Sequence, residues 1–288
     1  MQTARYEAPS TLSDAVRLAA AEPMAKFFAG GTDLLVQVKG GVIEPSLYID
    51  LKRIPGLVGI TLDAGGLRLG AATPAAMICE HAEVKKLWPG FVEAAHLIGS
   101  TQIQGRGSVG GNLCNSSPAA DSVCGLIVNQ AVCVIAGAKG ERNVPVEQFC
   151  TGPGKNVLQP GELLAALKLP RPAPRTADAY LRLIPRTEMD IAVVGAGVSL
   201  TLDASGTCTI ARVAIGAVAP TALRVPAAEA ALVGSKVDEA ALARAAQAAS
   251  AAAKPIDDKR GSAAYRKKVV GVLVRRAAAI AAERARTR

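Results

Sequence analysis

The chain has 288 residues, half of them hydrophobic and only 3% aromatic, with a formal charge of +9. That length supports one large or two ordinary domains with real cores. The apolar content excludes a disordered chain, and the scarcity of aromatics argues against base stacking. The charge is uneven: residues 254–288 hold 11 Lys/Arg against three Asp/Glu. A basic end of this kind suits either nucleic acid or a solvated helix face that meets an acidic partner. Only Tyr265 interleaves with those charges and no nucleic-acid motif accompanies them, which favours the second reading.

In chain order, Thr11–Asp14 has the form of a capping box opening a helix that runs to Ala21 and stops at Pro23. Lys26–Ala29 reads as a strand entering Gly30-Gly31, and Leu34–Val38 as a short helix closed by Gly40-Gly41. Strands are expected at Leu47–Leu51, Leu57–Leu62 and Leu67–Ala71, the last two joined as a hairpin through Asp63–Gly66. Thr73-Pro74 suggests an N-cap followed by proline in the first helical position. A further helix covers Pro89–Ile98. Gly99–Ala120 is too long and too rich in small residues for a plain turn, which marks it for function. Helix Asp121–Gln130 and strands Val132–Ala136 and Leu163–Leu169 follow.

Residues 170–176 carry three prolines and read as a linker. The expected division is therefore 1–170, itself in parts of about 1–55 and 56–170, followed by 177–288. Beyond the linker, Ile191–Leu202 and Thr209–Val218 look like paired strands about the turn Asp203–Gly206. Two Ala-rich helical segments, about 226–253 and 262–286, end the chain, the second with Val270, Leu273, Ala277 and Ile280 on one face. The order is α+β and does not alternate as a Rossmann fold requires.

The Met1 end lacks the apolar stretch of a signal peptide, and no apolar run reaches the ~20 residues needed to span a bilayer. A cytoplasmic protein is expected. The six cysteines contain no C-x-x-C pair. Cys114, Cys124, Cys133 and Cys150 are widely spaced for a cluster, and small buried hydrophobes are the simpler reading. Disulfides are not expected in that compartment.

Two segments carry the chemistry: Phe28-Ala29-Gly30-Gly31-Thr32-Asp33-Leu34-Leu35 and Ser108-Val109-Gly110-Gly111-Asn112. Glycine lets backbone N–H groups approach phosphate oxygens, and successive N–H groups form an anion-binding concavity. Two such loops suit the two phosphates of a dinucleotide. Singly, each is equally a turn; neither fits G-x-G-x-x-G in its strand–helix setting or a Walker A loop.

Together with Asn115–Asp121, residues 151–164 and residues 189–198, these loops resemble the FAD-binding medium subunits of the xanthine dehydrogenase and carbon monoxide dehydrogenase family. The resemblance spans nearly the whole chain. It implies a two-part FAD domain of the vanillyl-alcohol-oxidase type, then a C-terminal α+β domain with a small antiparallel sheet and helices. It implies noncovalent FAD, its pyrophosphate held by Ala29–Asp33 and Ser108–Asn112, flanked by Phe28, Leu34 and Leu35. By motif position, Asp121 would hold the adenosine ribose region and Leu158 would lie near the isoalloxazine ring. Ile98 stands where animal enzymes carry Phe, Arg182 where relatives often carry Lys, and Ile191 where the carbon monoxide enzyme has Tyr over the flavin. The cysteine-bearing insertion of the hydroxybenzoyl-CoA reductases is not evident, so no iron–sulfur cluster is expected in this chain.

The same resemblance implies a large molybdenum-cofactor subunit and a small [2Fe–2S] subunit as partners, in a dimer of heterotrimers. Electrons would pass from the [2Fe–2S] subunit through FAD to NAD, a quinone or oxygen, with no catalytic acid or base in this chain. The rival readings are a self-contained FAD oxidase, which lacks a histidine base near the loops, and a basic structural or nucleic-acid-binding subunit, which leaves the loops unexplained. His81 and His96 read as helix-surface or partly buried residues, and Trp88 as core or interface. Cys114 lies close enough to the second loop to raise a covalent flavin link. Glu188 and Asp190 are either solvated turn residues or line the acceptor's approach.

Overall fold

A computed structural model describes residues 4–288. Three main sheets follow one another along the described residues, with a two-stranded hairpin beside the second. The first is parallel, in the order β1 (Arg5–Glu7), β3 (Leu47–Asp50), β2 (Ala25–Phe28), with Phe27 opposite Ile49. Helix α1 (Leu12–Ala21) connects β1 to β2 and α2 (Leu34–Lys39) connects β2 to β3. The capping box at α1 is present: Thr11 Oγ1 accepts from the Asp14 amide at 3.1 Å.

The second sheet is antiparallel, in the order β4 (Ile60–Asp63), β5 (Gly66–Gly70), β10 (Leu163–Pro170), β6 (Val132–Gly137), β7 (Gly140–Pro145). Leu167 faces Leu69 on one side and Cys133 on the other, so β10 is its apolar centre. Helices α3 (Ala75–Glu80), α4 (Ala82–Leu87), α5 (Pro89–His96), α6 (Thr101–Gln104), α7 (Val109–Cys114) and α8 (Asp121–Val128) lie between β5 and β6. Trp88, Phe91, Leu126 and Phe149 are buried in this core. A small hairpin, β8 (Cys150–Gly152) with β9 (Lys155–Asn156), precedes β10.

Residues 171–175 separate β10 from β11 (Thr176–Leu183). The third sheet runs β11, β12 (Val194–Leu202), β13 (Cys208–Gly216), β14 (Leu223–Arg224). Helices α9 (Pro226–Leu232), α10 (Glu239–Ala252) and α11 (Ala263–Arg286) complete it. Val270, Leu273 and Ala277 of α11 are buried and Ile280 is partly buried. The alanines have a purpose here: a Cβ on Gly271 would stand 2.7 Å from Ser250 Oγ and 2.9 Å from the Ala246 carbonyl oxygen. Only small side chains let α10 and α11 approach this closely.

Three expectations need correction. The helix after Thr73 forms, but Thr73 does not cap it. Its hydroxyl instead accepts from the Gly59 amide at 2.9 Å and donates to the Gly59 carbonyl at 3.1 Å. The Ala-rich segment 226–253 is two helices, because Gly234 and Val237 take positive φ and Asp238 caps a new start at the Ala241 amide. Strand Leu57–Leu62 begins only at Ile60, since Leu57 is a buried turn residue whose carbonyl accepts from Ala72. Strands β7 and β11 were not foreseen: β7 is a polar edge, GERNVP, and β11 directly follows the prolines.

The third sheet is clamped to the α5 layer by one carboxylate. Asp178 of β11, 1% exposed, accepts from the Gly90 and Phe91 amides, each at 2.9 Å, and from Asn129 Nδ2 at 2.6 Å. It thereby caps α5, whose own N-cap Trp88 offers no acceptor. Gly90 permits the approach: a Cβ there would stand 2.5 Å from the Ala179 amide nitrogen. Replacing Asp178 with Ala strands three buried donors and should cost roughly 2–4 kcal/mol. Denaturant unfolding measures this, and a loss under about 0.5 kcal/mol would contradict the clamp.

Candidate functional site

The sequence's two glycine segments meet face to face. A Cβ on Gly30 would stand 1.9 Å from the Arg106 carbonyl oxygen, and one on Gly110 would stand 2.3 Å from that of Ala71. Both glycines therefore serve close backbone approach. Gly31 turns the chain at φ +76°, with the Phe28 ring directly beneath it. Lys52 fixes the base of this turn by donating to the Ala29 carbonyl at 2.9 Å and to Asp50 Oδ1 at 2.7 Å, its Nζ 4.5 Å from the centre of the Phe28 ring.

The second segment is not a free loop but a helix start. Ser108 is the N-cap of α7 and its Oγ accepts from the Gly111 amide at 3.0 Å. Gly110 and Gly111 are thus first-turn residues. Gln37 Nε2 donates to Asn115 Oδ1 at 2.9 Å and links α2 to the end of α7. Ser122 Oγ donates to Asn112 Oδ1 at 2.6 Å and orients that side chain.

Between the segments lies a cavity of about 460 Å³. Of the expected site residues, Ala29, Gly30, Gly31, Thr32, Asp33, Leu34, Ile98, Ser108, Gly111 and Asn112 line it. Phe28, Val109 and Gly110 do not line it: Phe28 lies beneath Gly31, and Val109 and Gly110 are buried. Leu35 is exposed. Leu158 packs on the core near Asn156, whose Oδ1 takes the Leu158 amide at 3.1 Å. Sequence reading missed Asn156, Gln37, Asn115 and Gly154, which share the same walls or ties. Their one legible signal is polar amides within a segment otherwise built of small residues.

The donors are unspent. The amides of Gly30, Gly31, Thr32, Asp33 and Leu34, and those of Val109 and Gly110, make no hydrogen bond among the described residues. Such a row of free N–H groups in a concave site takes an anion. A linked pair of phosphates fits it.

Asp121 and Arg182 sit outside the cavity, at the seam with the third sheet. Asp121 accepts from Tyr180 Oη and from Arg182 Nη1, both at 2.7 Å, and Arg182 Nη1 also donates to the Leu97 carbonyl at 3.0 Å. Burial raises the Asp121 carboxyl above its ordinary range against the pull of Arg182 and Tyr180. With both carboxylate oxygens engaged, Asp121 supports the wall that carries Ile98. The buried Nε of Arg182 finds no acceptor among the described residues.

Residues 2–172 match the family model described as FAD binding domain in molybdopterin dehydrogenase, and residues 179–281 match the CO dehydrogenase flavoprotein C-terminal domain. The chain belongs to this flavoprotein family. It is 33% identical over 94% of both chains to the carbon monoxide dehydrogenase medium chain of Hydrogenophaga pseudoflava. It is 36% identical over 78% of both chains to a xanthine dehydrogenase FAD-binding subunit of Escherichia coli O157:H7. A chain of the reconstituted CO dehydrogenase from Oligotropha carboxidovorans superposes with a TM-score of 0.94, at 32% identity and 98% coverage of each. The expected fold is thereby established, the cofactor is FAD, and the chain is a flavoprotein subunit of a multi-subunit oxidoreductase of the molybdenum hydroxylase family. No helix among the described residues is long and apolar enough to cross a membrane.

His81 caps α4 through Nδ1, His96 is exposed, and Trp88 is 1% exposed in the core. Cys114 lines the cavity, yet burial pushes its thiol up to about 12. It stays protonated at neutral pH and is a poor nucleophile.

Gly30→Ala should lower FAD affinity at least about tenfold, because the Cβ forces the two segments apart; Gly105→Ala, where a Cβ meets nothing within 4 Å, should leave it unchanged. Flavin content per chain reads both, and equal losses would contradict the close-approach role. Trichloroacetic acid should release all the flavin into the supernatant, whereas yellow precipitate would reveal a covalent bond.

Proposed function

We propose that this chain relays electrons from a [2Fe–2S] partner subunit through FAD to an external acceptor, within a complex whose large subunit holds the molybdenum cofactor. FAD supplies the redox chemistry; the chain binds it, orients it and shields it. The free amides of Gly30–Leu34, all of them residues that line the cavity, hold the pyrophosphate, and this row of unspent donors is the observation that carries the reading. Thr32 and Asn112 add side-chain hydrogen bonds. Ile98 and Leu158 cover apolar parts of the ring system, and Arg182 acts from outside the cavity through the Leu97 carbonyl next to Ile98. Asp121 acts on the cofactor through Arg182, holding that guanidinium in place.

The titratable side chains lining the cavity are Lys26, Asp33 and Cys114. None is a histidine, and the Cys114 thiol is held neutral. The row of unspent amides suits the site to binding the cofactor for electron relay. We place the chain in the cytoplasm, divide it at residues 171–176, and assign the assembly as a dimer of heterotrimers. The relatives' names, which include medium chains of carbon monoxide dehydrogenases, support the multi-subunit setting.

The purified chain should show flavin absorbance near ~450 nm, a property of the cofactor itself. It should oxidise neither aldehydes nor aza-heterocycles until the two partner subunits are added. Hydroxylation by the isolated chain would overturn the relay.

A further inference from the structure

An ion pair stands directly behind the first of the unspent amides. Strand β3 ends at Asp50, which lies opposite Phe28 in the parallel register, and the Leu51 amide donates to the Phe28 carbonyl at 3.0 Å. The chain leaving β3 is thereby held beside the chain leaving β2, and Lys52 comes to lie against the turn at Ala29. Its Nζ donates to the Ala29 carbonyl at 2.9 Å and to Asp50 Oδ1 at 2.7 Å, 4.5 Å from the centre of the Phe28 ring. Ala29 and Gly30 line the cavity, whereas Lys52 does not.

The ammonium has little freedom. Asp50 is 6% exposed, its Oδ1 also accepts from the Lys52 amide at 3.0 Å, and its Oδ2 accepts from Tyr6 Oη. Both carboxylate oxygens are engaged, so Asp50 is fixed and holds Lys52 with it. As a partly exposed ion pair alone, Lys52 and Asp50 would contribute little to stability.

The third partner gives the pair its consequence. The Ala29 carbonyl and the Gly30 N–H are the two ends of one peptide plane, and no peptide among the described residues is cis. In a trans peptide those two groups point in opposite directions. A cation bonded to the carbonyl draws electron density from the nitrogen, so the N–H on the far side becomes a stronger donor. The same bond fixes the rotation of that plane, and with it the direction of the Gly30 N–H. The cavity lining holds one cation, Lys26, and one carboxylate, Asp33. Their charges cancel, so a doubly charged anion depends on the amides and on what stands behind them.

We propose that Lys52 is a positioning residue for the flavin's pyrophosphate, aiming and strengthening the Gly30 N–H through the Ala29 carbonyl without touching the cofactor. This role rests on the reading that the amide row holds the pyrophosphate. It acts on the phosphates and not on the ring system, so it separates FAD from a flavin that has no phosphate.

Titration of the flavin-free full chain with FAD and with riboflavin tests it. Lys52→Met keeps the stem and removes the ammonium; it should weaken FAD at least about fivefold and leave riboflavin within about twofold. Lys52→Arg, which keeps a cationic donor, should restore most of the FAD affinity. In the flavin-free chain the Gly30 amide proton resonance should move upfield in Lys52→Met, while that of Gly206, in the turn between β12 and β13, stays in place. Asp50→Asn removes the counter-charge and should not lower the preference for FAD over riboflavin. Equal weakening of both flavins by Lys52→Met would reduce Lys52 to a structural prop and overturn the proposal. An unmoved Gly30 resonance, or a lowered preference in Asp50→Asn, would also overturn it. If the unsubstituted chain bound FAD no tighter than riboflavin, the amide-row reading itself would fail. If it preferred FAD and Lys52→Met kept that preference whole, the role of Lys52 alone would fall.

Discussion

The structure depends on two backbone crossings that tolerate no side chain. Gly30 lies against the Arg106 carbonyl and Gly110 against the Ala71 carbonyl, so the turn after β2 meets the α6–α7 connection, and α7 meets the end of β5, with no side chain between them. This closeness leaves the amides of Gly30–Leu34 on one cavity with no acceptor among the described residues. Buried or crowded N–H groups without partners are costly. On the proposed reading, the cofactor's pyrophosphate meets this cost. Lys52, Gln37 and Ser122 are arranged to hold the crossing, each tying a loop element to a neighbouring layer.

Much of this was legible in the sequence because it rests on local rules. The Thr11 cap, the glycine pairs, the proline run at 170–176 and the helical repeat around Val270 each need only a few neighbouring residues to declare themselves. The rest depends on partners far along the chain. Thr73 looked like a cap because nothing local says that Gly59 competes for its hydroxyl. The Ser108 segment resembled a loop because its glycines have low helix propensity, yet Ser108 caps a helix there and Gly110 lets that helix lie against Ala71. Asp121 carried a motif match to a ligand-holding acid, but Tyr180 and Arg182 lie 59 and 61 residues away and claim both its oxygens.

The seam between the α5–α8 layer and the third sheet unites the separate observations. Asp178 caps α5 from across it, Arg182 reaches the Leu97 carbonyl beside the cavity wall, and a second cavity, lined in part by Pro118 and Ala217, opens along it. A change in how the C-terminal sheet sits would thus reach the flavin site through Ile98. The basic charge of residues 254–288 serves several ends. Arg266 builds the floor of that cavity, and Arg284 pairs with Glu93 and bonds the Asp178 carbonyl at 2.8 Å. These arginines are internal ties.

The central claim is that backbone donors on the pyrophosphate dominate cofactor binding. Equilibrium binding of FAD and of riboflavin to the flavin-free chain tests it most directly, since riboflavin has the ring system without the phosphates. Charge-assisted hydrogen bonds contribute roughly 1.5–3 kcal/mol each, so two or more of them predict FAD binding tighter than riboflavin by at least about a hundredfold. Riboflavin binding within a few-fold of FAD would contradict the account.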